Sequence, residues 1–267
     1  MIETEIPQFA QGLRLDGKGF VVLGAGQGIG EQACHALAQS GAKVLCVDVD
    51  ESRARSMAAA VAGIACVADV MSRSDMTAVF ETARREFGGR IDGIVDVVGM
   101  PVARPLSSHD DDSWNRQFDL VVRHAFLAIQ LAEPLLAPGA SVVLVGSMGG
   151  VLARGGPALA YSAAKAALHQ MARSAAQEFA DRGIRVNVVA PGLTRTPRLV
   201  QANDAAFWER QCEEIPLGRA GSTSDIANAI LFLSSPMAAY ITGVLLPVDG
   251  GMGLGKVRVL ARSGLER

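Results

Sequence analysis

Net charge is almost absent from this sequence of 267 residues. Its 25 Lys and Arg side chains nearly balance its 27 Asp and Glu side chains, so the formal net charge is −2. Proteins that hold nucleic acid or an anionic membrane surface by electrostatics carry clustered basic residues. The balance therefore predicts neither nucleic acid nor membrane as a partner.

Cysteine is scarce, and its spacing argues against a metal site or a redox motif. The chain contains Cys34, Cys46, Cys66 and Cys212, with no C-x-x-C pair and no Cys/His spacing typical of metal binding. Cys46 and Cys66 lie in apolar runs, as small buried side chains do. We expect reduced thiols, no bound metal and a cytoplasmic location.

Long apolar runs are missing as well. No stretch approaches the roughly 18 apolar residues of a membrane span. The segment MIETEIPQFAQG lacks the basic and apolar regions of a signal peptide. Hydrophobic residues nevertheless make up 49% of the chain, which is enough for one large core. We expect a single domain over residues 1–267, with its core at about 13–251 and a C-terminal tail at 252–267.

Short β-branched runs alternate with longer helical patterns. Such alternation predicts an α/β fold with a parallel, doubly wound sheet and helices on both of its faces. The predicted strands are 20–25, 43–49, 63–69, 91–99, 140–147, 184–191 and 243–250. The predicted helices are 28–40, 51–60, 73–87, 111–136, 159–181 and 224–235. Ser-x-x-Asp patterns predict helix caps at Ser72, Ser108 and Ser222.

Four glycines follow the first predicted strand in VVLGAGQGIG, residues 21–30. Glycine is costly to order, so its repetition indicates either a sharp backbone turn or a ligand lying against the main chain. A turn that opens a helix suits a pyrophosphate, because unpaired N–H groups and the helix dipole attract it. A plain structural turn is the alternative. The predicted cofactor-binding residues of this turn are Gly24, Gln27, Gly28, Ile29 and Gly30.

Asp48 ends the second predicted strand, 18 residues after Gly30. A carboxylate there can accept hydrogen bonds from both hydroxyls of the adenosine ribose and would repel a 2′-phosphate. Asp48 therefore predicts NAD rather than NADP as the cofactor. Asp50, by contrast, is better interpreted as a strand-end or helix-cap residue.

Tyr161 and Lys165 lie one helical turn apart in YSAAK. Ser147 ends the fifth predicted strand, and ligands of doubly wound sheets bind beyond the carboxyl ends of the strands. A neighbouring ammonium would lower the pKa of a tyrosine and so prepare it for the proton transfer that accompanies hydride transfer. We predict Tyr161 as the acid/base, Lys165 as the group that tunes it and Ser147 as the holder of the substrate oxygen. Taken alone, Tyr-x-x-x-Lys is also a common surface pair.

These features together resemble the classical short-chain dehydrogenases/reductases, from about Leu13 to Gly251. The resemblance implies a single-domain Rossmann fold with a seven-stranded parallel sheet, and catalysis by Ser147, Tyr161 and Lys165. It also implies a homotetramer or dimer packed through the helices at about 111–136 and 159–181. The segments that carry the resemblance are GAGQGIG, ADV (68–70), YSAAK, RVNVVAPGLTRTP (185–197), IPLGRAGSTSDIANAILFLSS (215–235) and YITGVLLPVDGG (240–251).

The resemblance implies further contacts with the dinucleotide. Lys165 would hydrogen-bond the nicotinamide ribose beside Tyr161, and Asp69 and Val70 would meet the adenine. The backbone from Asp96 to Gly99 would run past the adenosine ribose. The residues implied around the nicotinamide are Pro191, Gly192, Thr194 and Thr196.

Four features depart from the family pattern. Leu23 stands where the family has threonine, and DVVG (96–99) stands where it has Asn-Asn-Ala-Gly. Val121 takes the place of a helix asparagine that helps the proton relay to the lysine, and valine cannot hydrogen-bond. The interval between Ser147 and Tyr161 is one residue longer than usual.

The sequence therefore predicts an NAD-dependent oxidoreductase that interconverts a secondary alcohol, apolar or cyclic, and its ketone. A lid at about 193–215 would cover the substrate, and Met100, Met148 and Leu152 would line the pocket or simply pack it. One alternative is an NADPH-dependent 3-oxoacyl-thioester reductase. The other is an NAD-binding protein with weak or lost catalysis, which Val121 and DVVG motivate.

Overall fold

The computed structural model describes Ile6, residues 8–153 and residues 158–255. Its strands are β1 (Gly19–Leu23), β2 (Lys43–Asp48), β3 (Ile64–Val67), β4 (Ile91–Asp96), β5 (Leu136–Val145), β6 (Arg185–Pro191), β7 (Thr194–Arg195), β8 (Gly221–Ser222) and β9 (Leu245–Val248). Seven of them form one parallel sheet of order β3-β2-β1-β4-β5-β6-β9, while β7 and β8 pair separately. The predicted seven-stranded parallel sheet is confirmed.

Helices follow the strands and cover both faces of the large sheet. They are α1 (Ile29–Gln39), α2 (Glu51–Ala60), α3 (Arg73–Glu86), α4 (Asp111–Phe118), α5 (His124–Ala132), α6 (Leu159–Glu178), α7 (Pro197–Ala202), α8 (Ala205–Glu213) and α9 (Thr223–Ser234). One hydrophobic core lies between the sheet and α3, α5 and α6, and includes Phe80 and Leu168. The other lies under α1, α2 and α9 and includes Leu37 and Ile230. Strands covered on both faces carry few polar residues, which explains their apolar sequences.

Helix caps fix where several helices begin. Ser72 and Ser222 cap α3 and α9 as predicted, each by accepting the N–H group of the aspartate three residues later. The predicted cap Ser108 is wrong. Ser108 ends a short 3-10 turn and bonds back to the carbonyl of Pro105, so Asp110 caps α4 instead, through the N–H group of Ser113.

The helix predicted at 111–136 is interrupted. A π-helical turn, Asp119–Arg123, separates α4 from α5, and the helix ends in the 3-10 turn Glu133–Leu135. Val121 lies within the π-helical turn and is fully buried. Such turns are single insertions in a helix and often mark functional sites. Helical periodicity in the sequence does not reveal one.

The C-terminal segment is described as far as Gly255. Residues 252–254 form a 3-10 turn, and the rest of the predicted tail lies outside the described residues. Within the described part of the chain, no helix is long and apolar enough to cross a membrane. The same residues contain no group of three or more His, Cys, Asp or Glu side chains that could hold a metal ion.

Candidate active site

The parallel sheet brings the predicted site residues to one edge. All strands of the large sheet run the same way, so the segments after them lie at its carboxyl edge. The glycine turn follows β1, the Asp69–Val70 pair follows β3, and Ser147 follows β5. Asp48 and Asp96 are the last residues of β2 and β4, and the Pro191–Thr196 segment continues from β6.

The glycine turn has a backbone conformation suited to binding an anion. Gly24 and Gly28 adopt positive φ angles of 80° and 65°. A Cβ on Gly30 would lie 2.0 Å from the carbonyl oxygen of Gly24, so only glycine allows this approach of helix and strand. Helix α1 begins at Ile29 without a side-chain cap, which leaves its first N–H groups to face a ligand. Gln27 is exposed beside them. The turn therefore fits a pyrophosphate.

Asp48 is held rigidly beside this turn. Its Oδ2 accepts the N–H of Gly26 at 2.9 Å, and its Oδ1 accepts the N–H of Asp50 at 3.0 Å. A carboxylate offers about four acceptor sites, so two remain for ribose hydroxyls. Asp50 caps α2 by accepting the N–H of Arg53, which agrees with its interpretation as a cap.

Asp69 and Val70 follow β3 at the outer end of the edge. Asp69 Oδ1 accepts the N–H of Met71 at 2.9 Å, and the N–H of Asp69 donates to Asp75 at 3.0 Å. These bonds fix the turn that carries both residues. Val70 is buried. Their contact with adenine stays a prediction.

Ser147 and Tyr161 lie together. Ser147 Oγ accepts the N–H of Gly149 at 3.0 Å, which aligns the hydroxyl above the end of β5. The Ser147 hydroxyl and the Tyr161 ring both lie beside Gly149, where a Cβ would be 3.3 Å from Ser147 Oγ and 3.9 Å from Tyr161 Cε1. Burial raises the pKa of Tyr161 above its ordinary value, and the nearby Ser147 hydroxyl only partly opposes that effect. The expected net lowering of the Tyr161 pKa is therefore wrong, because loss of hydration disfavours phenolate.

Lys165 is a fully buried cation behind the phenol. Its Nζ donates to the carbonyl of Val145 at 2.7 Å and lies 5.8 Å from the centre of the Tyr161 ring. Burial lowers the pKa of Lys165 to about 8, while the charge of Asp96 acts to raise it. A Cβ on Gly99 would lie 2.7 Å from this Nζ, so the glycine leaves room for the ammonium. The structure thus brings Gly99 next to Lys165.

Asp96 takes part in a buried pair that no sequence pattern indicates. Its carboxylate lies 2.9 Å from Nε2 of His124, and the two side chains are 3% and 1% exposed. It also accepts the N–H of Val98 at 3.0 Å. The Asp96 side chain therefore belongs to the core, and only the backbone of this segment is left for the predicted contact with the cofactor. No spacing rule links a strand-end aspartate to a histidine on a later helix.

The segment from Pro191 to Thr196 leads into the predicted lid. Thr194 is buried and bonds to the carbonyl of Gly192, and Thr196 caps α7. The side chain of Pro197 lies 3.5 Å from where a Cβ on Gly28 would stand, so α7 starts against the glycine turn. Thr196, which precedes Pro197, therefore lies beside the glycine turn, while the contact of Thr194 with the cofactor stays a prediction.

Two apolar residues, Met148 and Leu152, follow Ser147 in the loop after β5. Met148 is buried, and a Cβ on Gly253 would come within 2.8 Å of its Cε and 3.7 Å of Leu152. The C-terminal 3-10 turn thus closes one side of the predicted pocket. In the lid, Trp208 is buried under the guanidinium of Arg195, which lies 4.5 Å from the ring centre. Trp208 therefore packs the lid and does not line an open pocket.

Comparison with known proteins identifies the family. A family model described as enoyl-(acyl carrier protein) reductase matches residues 24–253. The chain belongs to the short-chain dehydrogenase/reductase family. It is 37% identical over 246 residues to a galactitol 2-dehydrogenase (L-tagatose-forming) of Cereibacter sphaeroides, covering 89% of this chain and 96% of that one.

Solved structures of this family have the same fold. A 7α-hydroxysteroid dehydrogenase complexed with NADH and 7-oxo glycochenodeoxycholic acid matches with a TM-score of 0.86 and 29% identity, covering 91% of this chain and 96% of that one. The RhlG/NADP active-site complex of Pseudomonas aeruginosa matches with a TM-score of 0.85 and 32% identity, covering 91% and 98%. Relatives thus bind either nicotinamide cofactor, and the chain is an oxidoreductase of this family.

Proposed function

We propose that this protein is an NAD(H)-dependent oxidoreductase that interconverts a secondary alcohol, apolar or cyclic, and its ketone. The observation that carries the proposal is that Ser147 Oγ and the Tyr161 ring lie together beside Gly149, with the buried Nζ of Lys165 5.8 Å from the centre of that ring. These three groups lie at the same sheet edge as an uncapped helix start in a glycine turn.

The preference for NAD rests on Asp48. Its carboxylate accepts the N–H of Gly26 at the edge of the glycine turn. There it would accept hydrogen bonds from the ribose hydroxyls and repel a 2′-phosphate. Gln27 brings no positive charge to offset that repulsion. When bound, the nicotinamide supplies the site that accepts or donates the hydride.

The residues of this chain handle the matching proton. Tyr161 takes the hydroxyl proton of an alcohol during oxidation and returns a proton to the carbonyl oxygen during reduction. Ser147 holds that oxygen through its hydroxyl. The ammonium of Lys165 stabilises the phenolate that forms on Tyr161, since opposite charges attract strongly in a site that excludes water. Val121 provides no hydrogen bond, so the proton leaves Lys165 by way of another group.

The apolar surroundings of Ser147 favour an apolar substrate. Met148 is buried next to Ser147, and the C-terminal turn around Gly253 packs against Met148 and Leu152. A 3-oxoacyl-thioester reductase is the second candidate, because a 3-oxoacyl-[acyl-carrier-protein] reductase of Escherichia coli is 34% identical to this chain over 247 residues. Asp48 opposes that candidate, in so far as it requires NADPH.

We further propose a cytoplasmic homotetramer or dimer. Trp114, Phe126 and Leu159 are exposed by 37%, 43% and 44% on the helices for which the family resemblance implies subunit contacts. Burying such side chains against a second copy would stabilise the assembly. The four cysteines are unpaired, which fits a reducing compartment.

A screen of secondary alcohols with NAD and of ketones with NADH tests the activity, followed by nicotinamide absorbance. Tyr161→Phe should abolish turnover and leave NADH binding intact, because the ring remains and only the proton-carrying hydroxyl is lost. Tyr240→Phe is the matched control, since Tyr240 is the only other tyrosine and is fully exposed. Undiminished turnover in Tyr161→Phe contradicts the mechanism. NADH binding without turnover of any substrate by the wild type favours the non-catalytic alternative.

A further inference from the structure

A histidine shares the catalytic face of α6. His169 follows Lys165 by four residues and Tyr161 by eight, so the three side chains lie along one stripe of the helix. His169 is 5% exposed, and its Nε2 accepts the backbone N–H of Ser147 at 3.3 Å. Its partner is therefore the main chain of the residue that holds the substrate oxygen.

The loop after β5 is shaped around this imidazole. A Cβ on Gly146 would lie 2.3 Å from His169 Nε2, and a Cβ on Gly150 would lie 2.7 Å from its Cε1. Neither distance leaves room for a side chain, since real Cβ atoms do not approach so closely. The glycines before and after Ser147 thus allow the loop to wrap the ring on two sides. His169 is therefore one of the neighbours that require glycine at 146 and 150, together with Val188 at Gly146 and the α6 backbone at Gly150.

The bond requires a neutral imidazole with a free lone pair on Nε2, which places the proton on Nδ1. Burial, Lys165 and Arg173 all favour the neutral form and lower the pKa of His169 to about 4. The ring is therefore ready to accept a hydrogen bond at neutral pH. Lys165 binds the carbonyl of Val145 on the other side of Gly146. Two side chains of α6 thus hold the end of β5.

We propose that His169 is a positioning residue for Ser147. By holding the Ser147 N–H, it fixes the backbone from which the serine hydroxyl meets Tyr161 and the substrate oxygen. This inference rests on the proposed function, because it acts through Ser147 in the same reaction. It goes beyond that function by giving a role to a residue outside the Ser147, Tyr161 and Lys165 set. A histidine that only filled the core would be replaceable by any side chain of similar size.

Two substitutions of His169 separate these roles. His169→Gln offers a side-chain oxygen at similar reach, whereas His169→Leu has similar bulk and no acceptor. We expect kcat to fall about 10-fold or more in His169→Leu and to stay within about 3-fold of wild type in His169→Gln, since tenfold corresponds to one hydrogen bond of ordinary strength. The Kd for NADH should be unchanged in both. Equal kcat values in the two variants would overturn the proposal.

Measuring the effect of His169→Leu in a Ser147→Ala background distinguishes a positioning role of His169 from a packing role. If His169 acts through Ser147, His169→Leu should cause no further loss of kcat when the serine hydroxyl is already absent. A full additional loss overturns the proposal. Amide hydrogen exchange at Ser147 gives a readout independent of turnover: protection should fall in His169→Leu and persist in His169→Gln. Unchanged protection overturns the proposal even if the chain proves inactive on every substrate, whereas inactivity alone contradicts only the proposed function.

Discussion

Asp48 and Asp96 occupy equivalent positions at the ends of their strands but have different neighbours. Each is the last residue of its strand, and each carboxylate accepts the N–H two residues further on, at 3.0 Å. The other oxygen of Asp48 binds the glycine turn, next to the open edge of the sheet. The carboxylate of Asp96 instead pairs with buried His124. Both carboxylates are buried, but that of Asp48 contacts the glycine turn, while that of Asp96 contacts a histidine side chain in the core.

The difference shows that the turn itself does not decide the role. The same bond to the N–H two residues on recurs at Asp69 and Asp249, after β3 and β9. An aspartate accepts this bond readily and so helps the chain leave the sheet. The role of each aspartate depends instead on the neighbouring element. A glycine turn stands beside β2, while α5 lies against β4 and supplies a histidine.

The largest expected effect is on stability, from Asp96→Ala. The substitution leaves His124 buried without its hydrogen-bond partner, and leaving a buried polar group unsatisfied costs about 1–3 kcal/mol. The free energy of unfolding, measured by urea denaturation at one protein concentration, should fall by that amount.

Asp92→Ala on the same strand is the control. Asp92 pairs with Lys18 at 3.2 Å in a half-exposed position, so its loss should cost less than Asp96→Ala. A double-mutant cycle with His124→Ala should give a coupling energy above about 1 kcal/mol. Equal losses for the two aspartates would show that Asp96 does not have the role in the core that we assign to it.

The second effect is on cofactor choice, from Asp48→Ser. Loss of the carboxylate removes both an acceptor for ribose hydroxyls and a repulsive charge. We expect the ratio of kcat/KM for NAD to that for NADP to fall about 10- to 100-fold, which corresponds to about 1.4–2.8 kcal/mol. Steady-state rates with both cofactors measure it.

The comparison of Asp48 with Asp96 would fail in either of two cases. Faster turnover of the wild type with NADP would remove the assigned role of Asp48 and favour the thioester reductase. A shift of the same size in Asp96→Asn would show that the buried carboxylate also senses the 2′ position.

The positions of the glycine turn, Asp48 and Ser147 at the carboxyl edge of the sheet could be predicted from the sequence, because local patterns determine them. The spacing of the glycines predicts the turn after β1, and the order of strands and helices predicts the parallel sheet. Parallel strands then place Asp48 and Ser147 at one edge without further information. Asp50 was also predictable, since helix caps depend on neighbours three residues away.

Contacts between distant segments could not be predicted. His124 meets Asp96, and His169 meets Ser147, across 28 and 22 residues of chain. No periodicity encodes such distances. The pKa of Tyr161 was predicted in the wrong direction for the same reason, because burial depends on the whole fold. The π-helical turn at Val121 likewise reflects packing against α6.

The third effect is a loss of stability in acid, carried by His169. Its pKa of about 4 in the folded chain is below the unfolded value near 6.5, so the unfolded chain binds more protons between those values. The stability is therefore full above about pH 6.5 and falls as the pH drops towards 4. Allowing for partial hydration, we expect a loss of about 1–2 kcal/mol from this group.

Carboxylates titrate in the same pH range, so the contribution of His169 is taken as the difference between the wild type and His169→Gln in the pH dependence of the free energy of unfolding. The free energy of unfolding should fall less steeply from pH 6.5 to 4 in His169→Gln than in the wild type. Parallel curves would mean that the ring is not held neutral.

The smallest effect comes from Asp50, which lies two residues beyond Asp48 and has only a local task. Asp50→Ala removes the side chain that accepts the N–H of Arg53 at the start of α2. Losing such a cap should lower the melting midpoint by about 2–3 °C. The NAD-to-NADP ratio should not move, since the N–H of Asp50 that binds Asp48 belongs to the backbone and survives the substitution. A changed ratio would mean that charge anywhere near the β2 end, rather than the fixed carboxylate of Asp48, selects the cofactor.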